Sequence, residues 1–390
     1  MRKIIFIFAV SLCGFNVYAQ ETVEDICQKG KDALASKNYE QAVQYFRQAA
    51  EQNCAEAQFQ LGDLYIYYDD KGISHDYDEA IYWLRRAAEQ GYVKAHTYMG
   101  LCYENGLGVA NNMDKAIQCY RYAAEKGEAR AQSCLGNCLK IGKGVEQSEE
   151  DAVYWRRRSA EQGFTQACYN MGVYYIEHQN PNAEKALFWY DKAGQNVDAK
   201  NKVELFGTGG LYFYKDGQAM HVNKRSFWFG AKSLYAAGVM CFYLGEFEKA
   251  VDYFTRADEC GWLYGRVGLG VCHIFGKGVK KDPAKGLKIV VDADTSFETY
   301  FDNPDIELRQ HFGGLSSLIK AYCYYKGLGC KKNVETAAGE YLSYLLCDEQ
   351  GGDRYEDLIF ISKEEFDEME EVLCQTETYR KFADVYWCVY

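Results

Sequence analysis

The sequence predicts an all-α solenoid, a stack of antiparallel helix pairs. Three observations carry that reading. A closing phrase returns as Ala87-Ala88-Glu89-Gln90-Gly91, Ala123-Ala124-Glu125-Lys126-Gly127 and Ser159-Ala160-Glu161-Gln162-Gly163. Its glycine recurs every 36 residues, and a period of that length marks stacked supersecondary units. Between the phrases, apolar residues fall at helical spacing, as Tyr98, Met99, Cys102 and Tyr103 do. Finally, only 3 prolines stand in 390 residues, so long helices run unbroken, while 34 Tyr and 21 Phe can fill the seams between them.

The elements follow in order. Residues 1–19 are expected to be a secretory signal peptide. Arg2 and Lys3 give the positive start, Ile4 to Val10 begin the apolar stretch, and Val17-Tyr18-Ala19 offers a cleavage site before Gln20. The stretch is too short to span a bilayer and is broken by Ser11, Gly14 and Asn16. No later segment approaches a span, so the expected product is a periplasmic or secreted chain with no integral membrane segment. Loss of Arg2 and Lys3 takes the net charge from −12 to −14, which disfavours nucleic acid and anionic membranes as general partners.

Residues 20–197 read as N-terminal helical repeats. Asn38-Tyr39-Glu40-Gln41-Ala42 with Tyr45-Phe46 forms a short-turned unit, and Leu61-Gly62 with Ala80 builds the next. The clearest unit has one helix from Lys94 to Asn105, a turn at Gly106-Leu107-Gly108-Val109, and a second helix from Met113 to Lys126 stopped by Gly127. Gly100 and Ala116 are small so that the two backbones can approach closely. Leu135-Gly136 with Gly142-Lys143-Gly144-Val145, then Met171-Gly172 with Trp189-Tyr190, continue the pattern.

Residues 198–230 break the rhythm. Asp216-Gly217 between two apolar-alternating runs is a hairpin signal, and a worn helix pair fits the same stretch. Residues 231–347 read as C-terminal repeats, with Gly276-Lys277-Gly278-Val279 and Gly327-Leu328-Gly329 as turns and an acidic connector, containing Pro304, from Thr295 to Gln310. Residues 348–390 read as a capping tail. Ser362-Lys363-Glu364-Glu365 resembles a capping box, so a terminal helix should follow it.

Sixteen cysteines in an exported chain point first to disulfides. The register qualifies this, because Cys102, Cys138, Cys272 and Cys323 all stand four residues before a turn glycine and so share one inward packing position. Cys119 takes the slot held elsewhere by Trp83, Trp155 and Trp189. Core thiols plus a few bridges are expected, with Cys330–Cys347 and Cys374–Cys388 as candidates that the sequence does not assign.

No catalytic or cofactor site emerges. The Gly-x-Gly turns follow helices and recur with the repeat, unlike phosphate loops, which follow a strand. The six histidines form no metal motif, His273 falls where Tyr103 and Tyr324 stand, and no Gly-x-Ser-x-Gly elbow occurs. Arg47/Glu51, Arg85/Glu89, Arg121/Glu125 and Arg157/Glu161 read as solvated helix edges. The expectation is a non-catalytic protein that binds no cofactor and no metal.

The Leu-Gly, Gly-x-Gly-Val, Lys-Ala, Trp-Tyr and Ala-Ala-Glu-x-Gly elements together resemble the Sel-one-like repeat (SLR) family, relatives of tetratricopeptide repeats. The units at Asn38 and Gly245 are similar to tetratricopeptide repeats proper. The resemblance implies a right-handed superhelix of paired antiparallel helices serving as an adaptor in complex assembly. In a cysteine-rich exported subgroup one bridge per repeat would fall near Ala160 and Cys168, of which only Cys168 is a cysteine here.

In such superhelices the first helix of each pair lines the concave surface. By that register Lys94, Arg130, Asn137, Lys140 and Tyr169 face outward, with Thr97 and Glu104 beside them. The implied partner is a protein or peptide, and the four residues Lys94, Arg130, Asn137 and Lys140 would grip an acidic peptide or a terminal carboxylate. Tyr212, Tyr214, Lys224, Arg225 and Trp228 form a second candidate patch. Two other readings stand beside this one. One is an exported cell-wall or amide hydrolase; the other is a glycan-binding or polysaccharide-export scaffold using Trp228.

Overall fold

The computed structural model describes residues 21–67, 76–177, 182–195, 211–215, 218–222, 224–300, 306–348 and 361–378. The expected signal peptide lies outside them. The chain divides into two compact units, the first ending at Lys126 and the second beginning at Gly127, a division that falls inside the 20–197 block. Each unit is a stack in which consecutive helices pack on one another, and the second also carries one strand pair.

The first unit holds α1 (Val23–Ala35), α2 (Tyr39–Glu51), α3 (Ala55–Tyr67), α4 (Tyr77–Glu89), α5 (Val93–Asn105) and α6 (Met113–Glu125). The second opens with α7 (Ala129–Ile141), α8 (Glu149–Glu161), α9 (Thr165–Glu177) and α10 (Ala183–Gly194). A strand pair follows, β1 (Leu211–Lys215) and β2 (Gln218–Val222), and then α11 (Lys224–Tyr243), α12 (Phe247–Glu259), α13 (Leu263–Phe275) and α14 (Pro283–Tyr300). The last helices are α15 (Ile306–Lys326), α16 (Val334–Asp348) and α17 (Lys363–Leu373).

One packing rule builds most of these pairs. The eighth residue of the first helix is glycine, and it receives the eighth residue of the second. Gly30 meets Phe46, Gly62 meets Leu84 and Gly100 meets Tyr120 in the first unit; Gly136 meets Arg156 and Gly172 meets Tyr190 in the second. A Cβ on Gly100 would lie 2.5 Å from the Tyr120 ring. The fourth residue of the second helix is a wholly buried alanine in Ala42, Ala80, Ala116, Ala152, Ala186 and Ala250. Removing bulk at both places lets large side chains seat into the facing helix, the close fit that buried apolar surface needs.

The turns are locked in two ways. Asn112 donates its backbone N–H to the Tyr103 carbonyl (2.8 Å), and its side chain accepts from the Lys115 N–H (3.0 Å), capping α6. Ser148, Asn182, Asp282 and Asn333 repeat both contacts, their N–H groups reaching Leu139, Tyr175, His273 and Tyr324. These caps satisfy donors that a helix start leaves unpaired. Asn112→Ala is expected to cost the first unit about 1 kcal/mol in urea unfolding, with Asn112→Asp near wild type. The turn tips also touch neighbours. Gly278 sits at φ +70° with its α-carbon against the Phe247 carbonyl, and Gly329 likewise meets the Pro283 carbonyl, leaving no room for a side chain.

Adjacent pairs are linked through a side chain at the fourth position of α3, α5 and α9. Gln58 donates to the Ala50 carbonyl (3.0 Å), His96 bonds the Ala88 backbone, and the Cys168 thiol reaches the Ala160 carbonyl (3.3 Å). The position where the resemblance implied a bridge thus carries a hydrogen bond. Cys102, Cys138, Cys272 and Cys323 are buried as their register requires, and burial pushes the Cys102, Cys272 and Cys323 thiols up to about 12. Cys330 directs its thiol at the Cys323 and Leu328 carbonyls, and the side chains of Cys347 and Cys388 lie outside the described residues.

Three stretches depart from or refine the sequence reading. In residues 198–230 the hairpin is the form taken: β1 and β2 pair antiparallel from Leu211↔Val222 to Lys215↔Gln218, on either side of Asp216-Gly217. Helix α11 begins at Lys224, inside that irregular stretch, and its repeat frame starts at Ala231, placing Gly238 against Phe254. The connector expected over Thr295–Gln310 is shorter than its acidity implied. α14 continues to Tyr300 and α15 starts at Ile306, since no glycine or proline stands between Gly286 and Pro304 to stop the helix.

Helix α17 follows Ser362, where the sequence predicts a terminal helix. Ser362 and Glu365 form a reciprocal capping box, and Met369 and Leu373 are fully buried. Tyr322 donates to Glu365 (2.7 Å), Tyr325 to Glu368 (2.9 Å), and Tyr341 to Glu370. The opposite side of the helix shows Glu364, Asp367 and Glu371 to solvent, the polar outer face a stack requires at its end.

Candidate functional site: the first-helix faces

Lys94 is exposed at the second position of α5 and belongs to the first unit. Arg130 holds the same position in α7, where it and Lys140 are half-buried, spaced by nearly three turns along one helix of the second unit. These cations flank a seam already in use. The Asn137 side-chain oxygen accepts from Arg156 Nε (3.0 Å) and Nη2 (2.8 Å) and from Asn170 Nδ2 (3.2 Å). Asn137 therefore ties α7, α8 and α9 together and sets the backbone on which Arg130 and Lys140 stand.

Tyr169 on α9 is half-buried in an aromatic cluster. Its ring centre lies 5.7 Å from that of Tyr190 and 5.4 Å from that of Phe229, with the Lys232 ammonium 5.0 Å from its centroid. The hydroxyl-bearing ring and the cation together form a site able to meet a carboxylate or another ring. The Trp228 side chain, like those of Tyr212, Tyr214, Lys224 and Arg225, lies outside the described residues. The structure thus gathers Arg130, Asn137, Lys140 and Tyr169 in the second unit. Phe229 and Lys232 are the additions that sequence reading missed; their place beside Tyr169 depends on how α11 packs on α9.

A second outward feature lies on the second helices. On α8, Tyr154 and Trp155 meet edge to face at 5.1 Å, and Arg158 lies over both rings while donating to the Tyr154 hydroxyl (2.9 Å). On α10, Phe188 and Trp189 meet at 5.0 Å, with Lys192 over the indole. Tyr82, Trp83 and Arg86 form the same triad on α4 of the first unit. Tyr82, Tyr154 and Phe188 remain about half exposed, at 51%, 50% and 59%. Their signal in the sequence is an aromatic followed four residues later by a cation. Arg47, read as the partner of Glu51, donates instead to the Tyr65 hydroxyl (2.6 Å) and Glu79 (3.4 Å).

Among the described residues no group of three or more His, Cys, Asp or Glu is placed to hold a metal ion, and no helix is long and apolar enough to cross a membrane.

Stacked antiparallel helix pairs define a helical-repeat scaffold, an architecture commonly used for protein–protein interaction. The Sel1 repeat family model matches residues 25–54, 55–92, 93–128, 129–164, 165–198, 264–289 and 319–343, and the chain belongs to that family. Residues 199–263 are unmatched, although α11 and α12 within them keep the glycine seat at Gly238. Among solved structures the chain is similar to a Sel1 repeat protein from Oxalobacter formigenes, at 22% identity and TM-score 0.51, covering 70% of this chain and 100% of that one. It also matches c5321, described as a protective antigen of uropathogenic Escherichia coli strains displaying an SLR fold, at 23% identity and TM-score 0.42 over 94% of this chain and 80% of that one. No curated protein matches the chain in sequence.

Proposed function

We propose that this chain is an exported, non-catalytic scaffold that holds a peptide or partner protein along its first-helix faces. One observation carries the reading: the positions that build the stack repeat from pair to pair, while the outward rows change. The eighth glycine and fourth alanine recur, whereas the second position of the first helices, never buried, reads Glu56 and Lys94 in the first unit and Arg130, Gln166 and Tyr264 in the second. Within each unit a constant frame beneath a changing surface supplies a non-repeating pattern, which is what recognition of one particular segment needs. Sel1 repeat proteins are generally non-catalytic scaffolds, which agrees with this reading.

In the second unit Arg130 and Lys140 suit an acidic segment or a terminal carboxylate, with Tyr169 contributing ring contact. The test is a crosslinking pull-down from the native envelope, comparing the intact protein with Arg130→Glu/Lys140→Glu. The double variant should retain less than about a tenth of the partner, because charge-assisted contacts contribute roughly 1.5–3 kcal/mol each. Equal recovery would remove α7 from the interface. Export is read from the same preparation: Gln20 should be the first residue of the mature chain, in the periplasm or the medium, and a retained Met1 would overturn it.

A further inference from the structure

The first unit contains a cluster of two thiols, a carboxylate and an ammonium. Cys27 is buried on α1, and Cys54, half-buried in the turn between α2 and α3, packs against the same core cluster. Glu56 Oε2 lies 3.9 Å from Cys27 Sγ, and Lys31 Nζ lies 2.7 Å from Glu56. A disulfide needs Cα atoms within about 7 Å, and Cys54 stands two residues before Glu56, whose carboxylate the Cys27 thiol already reaches. Cys54 also keeps solvent access. By contrast Cys102 is wholly buried, and Cys330 directs its thiol at the Cys323 carbonyl (3.6 Å).

We propose that Cys27 and Cys54 form an intramolecular disulfide that clamps α1 onto the turn between α2 and α3. The closed loop contains all of α2, so the bridge restrains the unfolded chain across a whole helix pair. The oxidant is a small-molecule disulfide or a thiol–disulfide exchange protein, with oxidised glutathione as the probe. The Cys54 thiolate attacks one glutathione sulfur, breaking that S–S bond and releasing one glutathione thiolate. The Cys27 thiolate then attacks the Cys54 sulfur of the mixed disulfide and releases the second. Each protein thiol loses its proton to solvent, and two electrons pass to the glutathione disulfide. Burial, with the charge on Cys54 and Glu56 beside it, pushes the Cys27 thiol up to about 12, so closure is the slower step.

The test uses the full chain, reduced, equilibrated with oxidised glutathione, alkylated, and digested for mass spectrometry without reduction. The expected product is a joined pair of peptides carrying Cys27 and Cys54, lighter by two hydrogens and formed before any other bridge. The oxidised protein should unfold several degrees above the reduced one. Cys54→Ser and Cys27→Ala should each abolish both the joined peptide and the shift, and circular dichroism of the two variants separates loss of the bridge from loss of the fold. Glutathione held on Cys54 without closure, a first bridge to another cysteine, or a bridge without the shift would each overturn the proposal.

Discussion

Gly100→Leu is expected to destabilise the first unit by about 3 kcal/mol or more, the upper end of what overpacking costs in a close-fitted core. The Tyr120 ring leaves no space at this α-carbon, and it has nowhere to retreat. It is wholly buried, and its hydroxyl donates to Glu104 at 2.6 Å. The measurement is the midpoint of urea unfolding followed by far-UV circular dichroism. Combining Gly100→Leu with Tyr120→Ala should recover part of the loss, since the space opened by the second change receives the leucine. That recovery is a coupling specific to two residues sharing one seam. A wild-type midpoint for Gly100→Leu would mean that α5 and α6 do not pack through this position.

Met369→Glu should have an effect of similar size at the other end of the chain, because it puts a charge where α17 is fully buried against the last repeat. Loss of the cap uncovers Tyr341, Tyr344, Tyr322 and Tyr325, all buried while α17 is in place. Newly exposed aromatic surface of that extent drives association, so the variant should elute as oligomers and scatter light where the wild type does not. Asp367→Asn, on the solvent side, is the control and should change nothing. Acid should have a milder form of the same effect. The Tyr325 hydroxyl, and then the Lys326 ammonium, hold the Glu368 carboxyl below the usual carboxylate range. A depressed pKa gives stability that is present above the ordinary glutamate range and lost as pH falls through the lowered value. A monomeric Met369→Glu variant with an unchanged midpoint would remove α17 from the role of cap.

Much of this arrangement was legible in the sequence because it rests on local geometry repeated many times. Glycine-led turns, the 36-residue period, and the small residues Gly100 and Ala116 each state a backbone requirement that only certain residues meet. The partner of each glycine was harder to read, because it depends on the register between two helices, and this is fixed only when the pair closes. Asn137 shows the limit more clearly. Its helical phase reads as outward, but its side-chain oxygen accepts from Arg156 on the second helix of its own pair and from Asn170 on the next first helix. Tyr169 behaves in the same way, its ring lying between residues from α10 and α11. Single-helix periodicity separates inward from outward; it does not separate solvent from a neighbouring repeat. The long α14 was missed for another reason, since acidic composition alone was read as a connector while nothing in the stretch could end a helix.

The contacts of α17 also constrain how a molecule of this kind changes length over evolutionary time. Its carboxylates match hydroxyls at three particular places, Tyr322, Tyr325 and Tyr341. A unit duplicated downstream of α16 would separate the cap from those hydroxyls and present it with a surface lacking them. A unit duplicated upstream of α15 would leave that junction intact and add one more seat of the common type. Growth by duplication is therefore confined to the interior, and the last two helices and their cap are inherited as a single piece.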